Sequence, residues 1–205
     1  MNIFYTAYLI NNWEEVLLEQ LHIMKESGLL EAANKMYIHA HAPNDELKKI
    51  CDEYDKIELV EELENRCEIP AIEHLMESTE EYNLYFHSKG VSHPSSPNVK
   101  SWRDYMNHFN LALWKDCIYE LENGAKAVGV NFSTIHYPHF SGNYWWTTKE
   151  NTDNIKFKIG DRSDCEWYIG HGKGKYVSLH QSDVNHYHQV YDKSKWNINK
   201  LICQL

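Results

Sequence analysis

One stretch decides the fold class: Ile3-Phe4-Tyr5-Thr6-Ala7-Tyr8-Leu9-Ile10, followed directly by Asn11-Asn12. Its residues favour a β-strand, and the two asparagines suit the start of a helix. Apolar residues then recur at helical spacing until Gly28, which suits a helix end. The stretch therefore opens a strand-helix unit, from which parallel sheets are built.

The same alternation continues along the chain. Strands are predicted over 35–40, 57–60 and 82–86, with helices opening near Pro43 and Pro70. The pattern predicts one α/β, Rossmann-like domain over 1–205, in which helices flank a mostly parallel sheet of about six strands. Ligands are expected at the carboxyl ends of those strands.

The second half of the chain is less regular. A long helix is predicted from 102 to 121, ended by Asn123-Gly124, and a buried strand from 125 to 132. A late strand over 176–179 and a terminal helix over 196–203 complete the prediction.

Charge and composition narrow the class of partner. Twenty Lys and Arg against thirty Asp and Glu give a net charge of −10, which argues against nucleic acid or an anionic membrane. No apolar run approaches the roughly 18 residues that span a bilayer, and no signal peptide is recognisable, so a cytoplasmic location is expected. Thirteen His, fourteen Tyr and seven Trp are consistent with a site for a polyhydroxylated ligand.

The first candidate site is His87-Ser88-Lys89-Gly90, at the end of the fourth predicted strand. Lys and His there can neutralise a diphosphate, and Gly90 lets backbone amides approach phosphate oxygens. The alternative is a solvated turn.

The second is Gly142-Asn143-Tyr144-Trp145-Trp146. Adjacent tryptophans cannot share one face of a strand or helix, so at least one is expected to face a cleft or a second packing layer. A cleft would suit a platform for a sugar. The alternative is that both are packing residues.

The third is the acidic segment from Asp161 to Glu166. A carboxylate here suits a general base or a divalent ion. Asp161 and Asp164 equally suit helix caps, which leaves Glu166 as the better catalytic candidate.

Histidine pairs offer a fourth possibility, since alternate residues of a strand point the same way and can share a transition metal. The alternating pairs are His39 with His41 and His186 with His188, and His136 and His139 form a third pair with a spacing of three.

Five local matches make the chain resemble small nucleotide-sugar glycosyltransferases of the GT-A type, in particular those similar to rhamnan synthesis protein F and domains of large DNA viruses. They are the segment 65–70, similar to N-x-G-x-D; 84–89, a strand ending in H-[ST]-K; Trp102-Arg103; 141–146, similar to G-x-x-[FY]-W; and the late acidic Glu166. Cys67 and Glu68 replace the family's usual Gly and Asp.

The resemblance implies a donor half over about 1–98 and an acceptor half over about 99–205. The base and ribose would lie against Thr6, Ala7, Tyr8, His39 and Arg66, and the diphosphate against His87, Ser88, Lys89 and Arg103. The transferred sugar and acceptor would meet Gly142, Asn143, Trp145, Trp146 and Glu166. Catalysis would fall to Glu166, Lys89 and His87, with Arg66, Lys89 and Arg103 together supplying positive charge.

Many GT-A enzymes hold Mn²⁺ or Mg²⁺ with a D-x-D motif where this chain has His87-Ser88-Lys89. A Lys can supply the charge that a metal would contribute, although His87 with Asp161 or Asp164 remains a candidate ion site.

The resemblance implies transfer of rhamnose or glucose from a UDP- or dTDP-sugar to a hydroxyl of a glycan or glycoprotein, in a bacterium or a virus-infected cell. Two alternatives stay open: a carbohydrate- or nucleotide-binding module without catalysis, and a hydrolase that uses the His pairs to hold a metal.

Overall fold

The computed structural model describes residues 1–205 and contains an eight-stranded sheet and a separate two-stranded pair. The strands are β1 (Asn2–Ala7), β2 (Lys35–His41), β3 (Ile57–Glu62), β4 (Tyr82–His87), β5 (Ala125–Gly129), β6 (Phe132–Ser133), β7 (His139–Phe140), β8 (Trp145–Thr148), β9 (Lys175–Ser178) and β10 (Leu201–Gln204). The helices are α1 (Trp13–Glu26), α2 (Leu29–Ala32), α3 (Asp45–Asp52), α4 (Ile69–Glu77), α5 (Pro97–Asn107), α6 (Trp114–Glu122), α7 (Lys149–Asn154) and α8 (Arg162–Trp167).

The strand order of the large sheet is β10-β9-β5-β8-β4-β1-β2-β3. Strand β1 lies between β2 and β4 and is parallel to both, β2 pairs parallel with β3, and β5 with β9. The antiparallel strands are β8, inserted between β4 and β5, and β10 at the edge. The predicted α/β fold with a mostly parallel, helix-flanked sheet is confirmed, with eight strands where about six were expected.

Both faces of the sheet are buried. Ile3 and Tyr5 of β1 belong to one apolar cluster, which includes residues of α1 and α5, whereas Phe4 belongs to the cluster on the other face, with residues of α4. Alternate residues of a strand point to opposite faces, so a sheet covered on both sides buries consecutive side chains.

Two helix predictions for the second half need correction. The long helix is interrupted by a π-helical turn over His108–Ala112, which separates α5 from α6. The terminal helix over 196–203 is wrong, because Leu201–Gln204 pairs antiparallel with β9 and its backbone is satisfied by the sheet. The late strand over 176–179 is confirmed as β9.

None of the helices has the length and apolar character that crossing a bilayer requires.

Candidate active site

The candidate site lies where the strand order changes direction. The connection from β1 leads to β2 on one side, while the later strand β4 pairs with β1 on the other side. Crossover connections that leave in opposite directions open a crevice at the carboxyl ends of such strands, and ligands of open α/β sheets bind there.

Two cavities meet in this crevice, and both are lined by Tyr8 and Ile10. The first lobe has a volume of about 230 Å³ and the second about 260 Å³. Neither alone reaches the roughly 300 Å³ at the lower end of small-molecule sites. Because they share two residues, we treat them as one two-lobed cleft.

A buried carboxylate, Glu68, stands at the second lobe and is 2% exposed. Its Oε2 accepts hydrogen bonds from Asn143 Nδ2 at 2.6 Å and from the Tyr85 hydroxyl at 3.0 Å. His87 Nδ1 lies 3.4 Å from the same oxygen. Tyr85 and Asn143 come from β4 and from the loop before β8, so three distant segments meet on one carboxylate.

Burial by itself would raise the pKa of Glu68, because a dry environment disfavours the charged form. The positive charge of His87 and the hydrogen bonds from Asn143 and Tyr85 outweigh burial and lower the pKa to about 2. Glu68 is therefore a fixed negative charge in the cleft at neutral pH.

The ring of His87 is 7% exposed, lines the second lobe, and neither ring nitrogen has a hydrogen-bond partner. The carbonyl oxygen of His87, by contrast, accepts from Gln20 and Tyr144, which anchors the end of β4. Nδ1 faces the Glu68 carboxylate at 3.4 Å, and Nε2 is buried without a partner, which costs free energy.

Lys89 supplies a cation that no acidic side chain neutralises at ion-pair distance. Its Nζ lies 3.9 Å from the ring centroid of Trp102, and burial lowers its pKa while Glu166 and Glu68 oppose that shift. The next residue, Gly90, has φ of +93°, and a Cβ there would lie 3.0 Å from atoms of both Val99 and Arg103. The chain therefore needs glycine directly after Lys89.

A second cation, Arg162, comes from the first turn of α8. Its Nε lies 3.9 Å from Glu68 Oε1, and its guanidinium carbon lies 5.8 Å from the ring centroid of Tyr8. Glu166, one turn later on the same helix, lines the second lobe with an exposed carboxylate. The second lobe thus combines two cations with one buried and one exposed carboxylate.

The structure brings most of the predicted nucleotide residues together. Thr6, Ala7, Tyr8, His39 and Arg66 all line the first lobe. His39 uses both ring nitrogens within the protein, one toward Glu62 at 2.6 Å and one toward His74 at 3.1 Å. Ser88 Oγ accepts from the backbone N–H of Tyr8 at 2.8 Å, which ties the end of β4 to the end of β1.

The predicted convergence of Arg66, Lys89 and Arg103 is wrong. Arg103 is 3% exposed, forms a double hydrogen bond with Glu19, donates to the Lys89 carbonyl at 3.1 Å and lines neither lobe. Arg66 lies in the first lobe, where both guanidinium nitrogens bond Glu73 at 2.9 Å. Arg103 therefore positions the Lys89 loop, and Arg162 takes its place as the second cation of the second lobe.

The aromatic segment also needs correction, because Trp145 and Trp146 are both 0% exposed. They do point to opposite faces, one into each apolar cluster, but neither faces a cleft, since both sheet faces are covered. Gly142 has φ of +92°, and a Cβ there would lie 2.4 Å from Met106 Sδ. Gly142 thus permits close packing on α5, and only Asn143 reaches the cleft, through Glu68.

Two of the candidate metal ligands serve as helix caps. Asp161 and Asp164 form a capping box at the start of α8, each accepting backbone hydrogen bonds, which confirms the capping interpretation. No group of three or more His, Cys, Asp or Glu side chains has the arrangement that would hold a metal, and the three histidine pairs form no such group.

Sequence reasoning missed Glu68 and Arg162 as site residues. In the sequence, Glu68 is one carboxylate among thirty, and Arg162 lies within an acidic segment. Cys67 has φ of +57°, in the region that favours glycine, and this turn leads into Glu68 directly before α4.

Residues 2–149 match the model of a family described as a domain of unknown function (DUF8361). Among solved structures, the chain is similar to 4-diphosphocytidyl-2C-methyl-D-erythritolsynthase from Anaerococcus prevotii DSM 20548, with a TM-score of 0.43 and 16% identity over 80% of this chain and 79% of that one. It is also similar to HddC from Yersinia pseudotuberculosis, with a TM-score of 0.47 and 8% identity over 78% of this chain and 82% of that one. No curated protein matches. With TM-scores this low, neither likeness bears on the chemistry of the cleft.

Proposed function

The chain belongs to the family described as a domain of unknown function (DUF8361), a description that names no activity, and from the residues of the cleft we propose that the protein is a glycosyltransferase. The protein moves a sugar from a nucleoside diphosphate sugar to a hydroxyl of a glycan or glycoprotein. UDP-glucose and dTDP-rhamnose are the first donors to test.

One observation carries the proposal: the cations Lys89 and Arg162 share a lobe at the crevice of the sheet, and no carboxylate lies within ion-pair distance of the Lys89 ammonium. An unneutralised ammonium in a protein of net charge −10 is a local attraction for an anionic ligand. Two cations match the two phosphoryl groups of a nucleoside diphosphate.

The first lobe holds the nucleoside and the second lobe the diphosphate and the sugar. The acceptor hydroxyl oxygen bonds to the anomeric carbon as the bond from that carbon to the diphosphate oxygen breaks. The electron pair of the broken bond stays on the diphosphate, where Lys89 and Arg162 stabilise the added negative charge. The hydroxyl proton passes to the carboxylate of Glu166.

Glu68 and His87 support this step from the wall of the lobe. The carboxylate of Glu68 lies 3.4 Å from His87 Nδ1 and orients the ring at the wall of the lobe. No step uses a metal, because the acidic side chains at the start of α8 are engaged as caps.

Thermal denaturation with UDP or dTDP, followed by turnover of their sugar conjugates, tests the proposal. A rise in melting temperature together with donor turnover supports the transferase. A rise in melting temperature without turnover of any donor supports the binding module instead. If no nucleoside diphosphate raises the melting temperature, the proposal that the cleft binds a nucleotide is overturned.

The anomeric configuration of the product tests the role of Glu166. A carboxylate that acts as base on the acceptor belongs to an inverting reaction, so a retained configuration measured by NMR would remove Glu166 from that role.

A further inference from the structure

A second groove, the Tyr187 groove, opens beside the cleft and has a volume of about 570 Å³. Its walls come from the β6 region and from the loop after β9, and include Asn131, Ser133, Ile135, Gln181, Asp183 and Tyr187. None of these residues takes part in the cleft except Tyr187.

Two aromatic residues join the groove to the cleft. Tyr187 lines both the groove and the second lobe. Trp102 lines the groove, and its ring lies 3.9 Å from Lys89 Nζ, which belongs to the second lobe. A ligand in the groove therefore lies next to the proposed site of sugar transfer.

The groove is close to electrically neutral. Its carboxylate, Asp183, lies 3.4 Å from the ammonium of Lys195. Burial, together with the charge of Lys89, lowers the pKa of His186 to about 4, so its ring is neutral at physiological pH. The remaining polar groups are amides and hydroxyls, which bind neutral oxygen-rich ligands and give anions no counter-charge.

Exposed apolar surface is interleaved with those polar groups. Ile135 is 71% exposed and Tyr187 is 62% exposed. Flat or apolar side chains between hydrogen-bonding groups suit a pyranose ring, which has an apolar face and a polar edge.

Two ring N–H groups in the groove wall lack a partner within the protein. The backbone N–H of Ser182 donates to Asn131 Oδ1 at 2.8 Å, which fixes the amide so that its Nδ2 donates to His186 Nε2 at 3.0 Å. The proton of the neutral ring is then on Nδ1, which has no partner, and the Trp102 Nε1–H also has none. Both nitrogens are buried behind the groove surface, so they belong to its wall and the exposed amides and hydroxyls provide its ligand contacts.

We propose that the Tyr187 groove binds the acceptor as a neutral, polyhydroxylated glycan and holds it next to the second lobe. The identity of this ligand as the acceptor rests on the proposed function, whereas glycan binding in the groove is argued from the residues that line it. The acceptor thus lies against Tyr187 and Ile135, and the buried Trp145 and Trp146 take no part in binding it.

Saturation-transfer-difference NMR on the full chain tests this with three probes: methyl α-D-glucopyranoside, methyl α-L-rhamnopyranoside and methyl N-acetyl-β-D-glucosaminide. Each probe is measured without nucleotide and again with UDP. The variant Ile135→Arg places bulk and charge in the groove at an exposed position, and Ile202→Arg makes the same change at a 59% exposed isoleucine of β10, outside the groove.

We expect saturation transfer to at least one probe from the natural protein and from Ile202→Arg, with or without UDP, and its loss in Ile135→Arg. The UDP-induced rise in melting temperature should survive in Ile135→Arg. Absence of saturation transfer to all three probes, or saturation transfer that persists in Ile135→Arg, overturns the proposal that the groove binds a glycan. If UDP fails to bind while the probes behave as expected, the transferase proposal fails and the glycan groove stands.

Discussion

The side-chain amide of Asn143 donates a 2.6 Å hydrogen bond to Oε2 of Glu68, although 75 residues separate the two in sequence. The Oδ1 of the same amide accepts from the indole Nε1–H of Trp145 at 2.8 Å. A buried tryptophan of β8 therefore orients the amide that holds the carboxylate of the cleft. The aromatic segment shapes the site without facing it.

Replacing Asn143 with glycine should lower the free energy of unfolding by about 1–3 kcal/mol, because the buried carboxylate and the indole N–H each lose a partner. Asn143→Ala should cost about 1 kcal/mol more, since the residue has φ of +60° and alanine disfavours that conformation. Urea denaturation of both variants measures the two effects. Unchanged stability in the glycine variant would show that the hydrogen bond to Glu68 contributes nothing.

The low pKa of Glu68 predicts a pH dependence of stability. The folded value of about 2 lies below the ordinary value for Glu, so the ionised group stabilises the folded state above about pH 4. That contribution, roughly 2–4 kcal/mol from the size of the shift, is lost as the pH falls toward 2. Urea denaturation across this range should show a steeper loss for the natural protein than for Glu68→Gln. The exposed Glu166→Gln variant serves as control and should follow the natural protein.

Replacing Lys89 with alanine should slow donor turnover by about 10²-fold, because the leaving diphosphate loses a stabilising charge. Arg162→Ala should also slow turnover, and Lys89→Arg should restore part of the activity by keeping the charge. The control is Lys193→Ala, which removes another lysine packed on a tryptophan, 5.3 Å from the ring of Trp196 and outside the cleft. Near-normal turnover in Lys89→Ala would remove this residue from the mechanism.

Gly90→Ala should destabilise the protein by about 1–3 kcal/mol, through its left-handed backbone and the two contacts that a Cβ would make at 3.0 Å. Gly28→Ala is the matched control, because Gly28 has φ of +74° with no atom within 4 Å of the added Cβ. Thermal denaturation should show the larger loss at Gly90. Equal losses would mean that the contacts with Val99 and Arg103 are absorbed without cost.

Transferase activity should persist in a chelator, because Lys89 and Arg162 supply the positive charge and the acidic residues at the start of α8 act as caps. Donor turnover in excess EDTA, with and without added Mn²⁺, measures this. Activity lost in EDTA and restored by Mn²⁺ would contradict the charge assignment to the two side chains.

Local patterns predicted much of the fold and part of the site. Strand β4 and the loop at Lys89 were located from the apolar run and the glycine that follows it, because both signals lie within a few residues of each other. The capping role of Asp161 and Asp164 was likewise visible, since a capping box is a local hydrogen-bond pattern.

The errors arose where a residue's role depends on distant partners. Arg103 was assigned to the diphosphate because its charge is visible in sequence, whereas its partner Glu19 lies 84 residues away. The terminal strand β10 was mistaken for a helix because its pairing with β9 is a tertiary contact.

By itself, the sequence determined the alternation of strands and helices, a mostly parallel sheet with ligands expected at the carboxyl ends of its strands, and the loop that carries His87 and Lys89. These follow from periodicity, turn residues and chain order, which act over short distances. Only the tertiary structure decided which charges remain free. Arg66, Arg103 and Arg162 lie at ion-pair distance from Glu73, Glu19 and Glu68, whereas Lys89 has no carboxylate that close. Net charge in a cleft depends on which side chains pair across space, and pairing follows from packing rather than from local sequence.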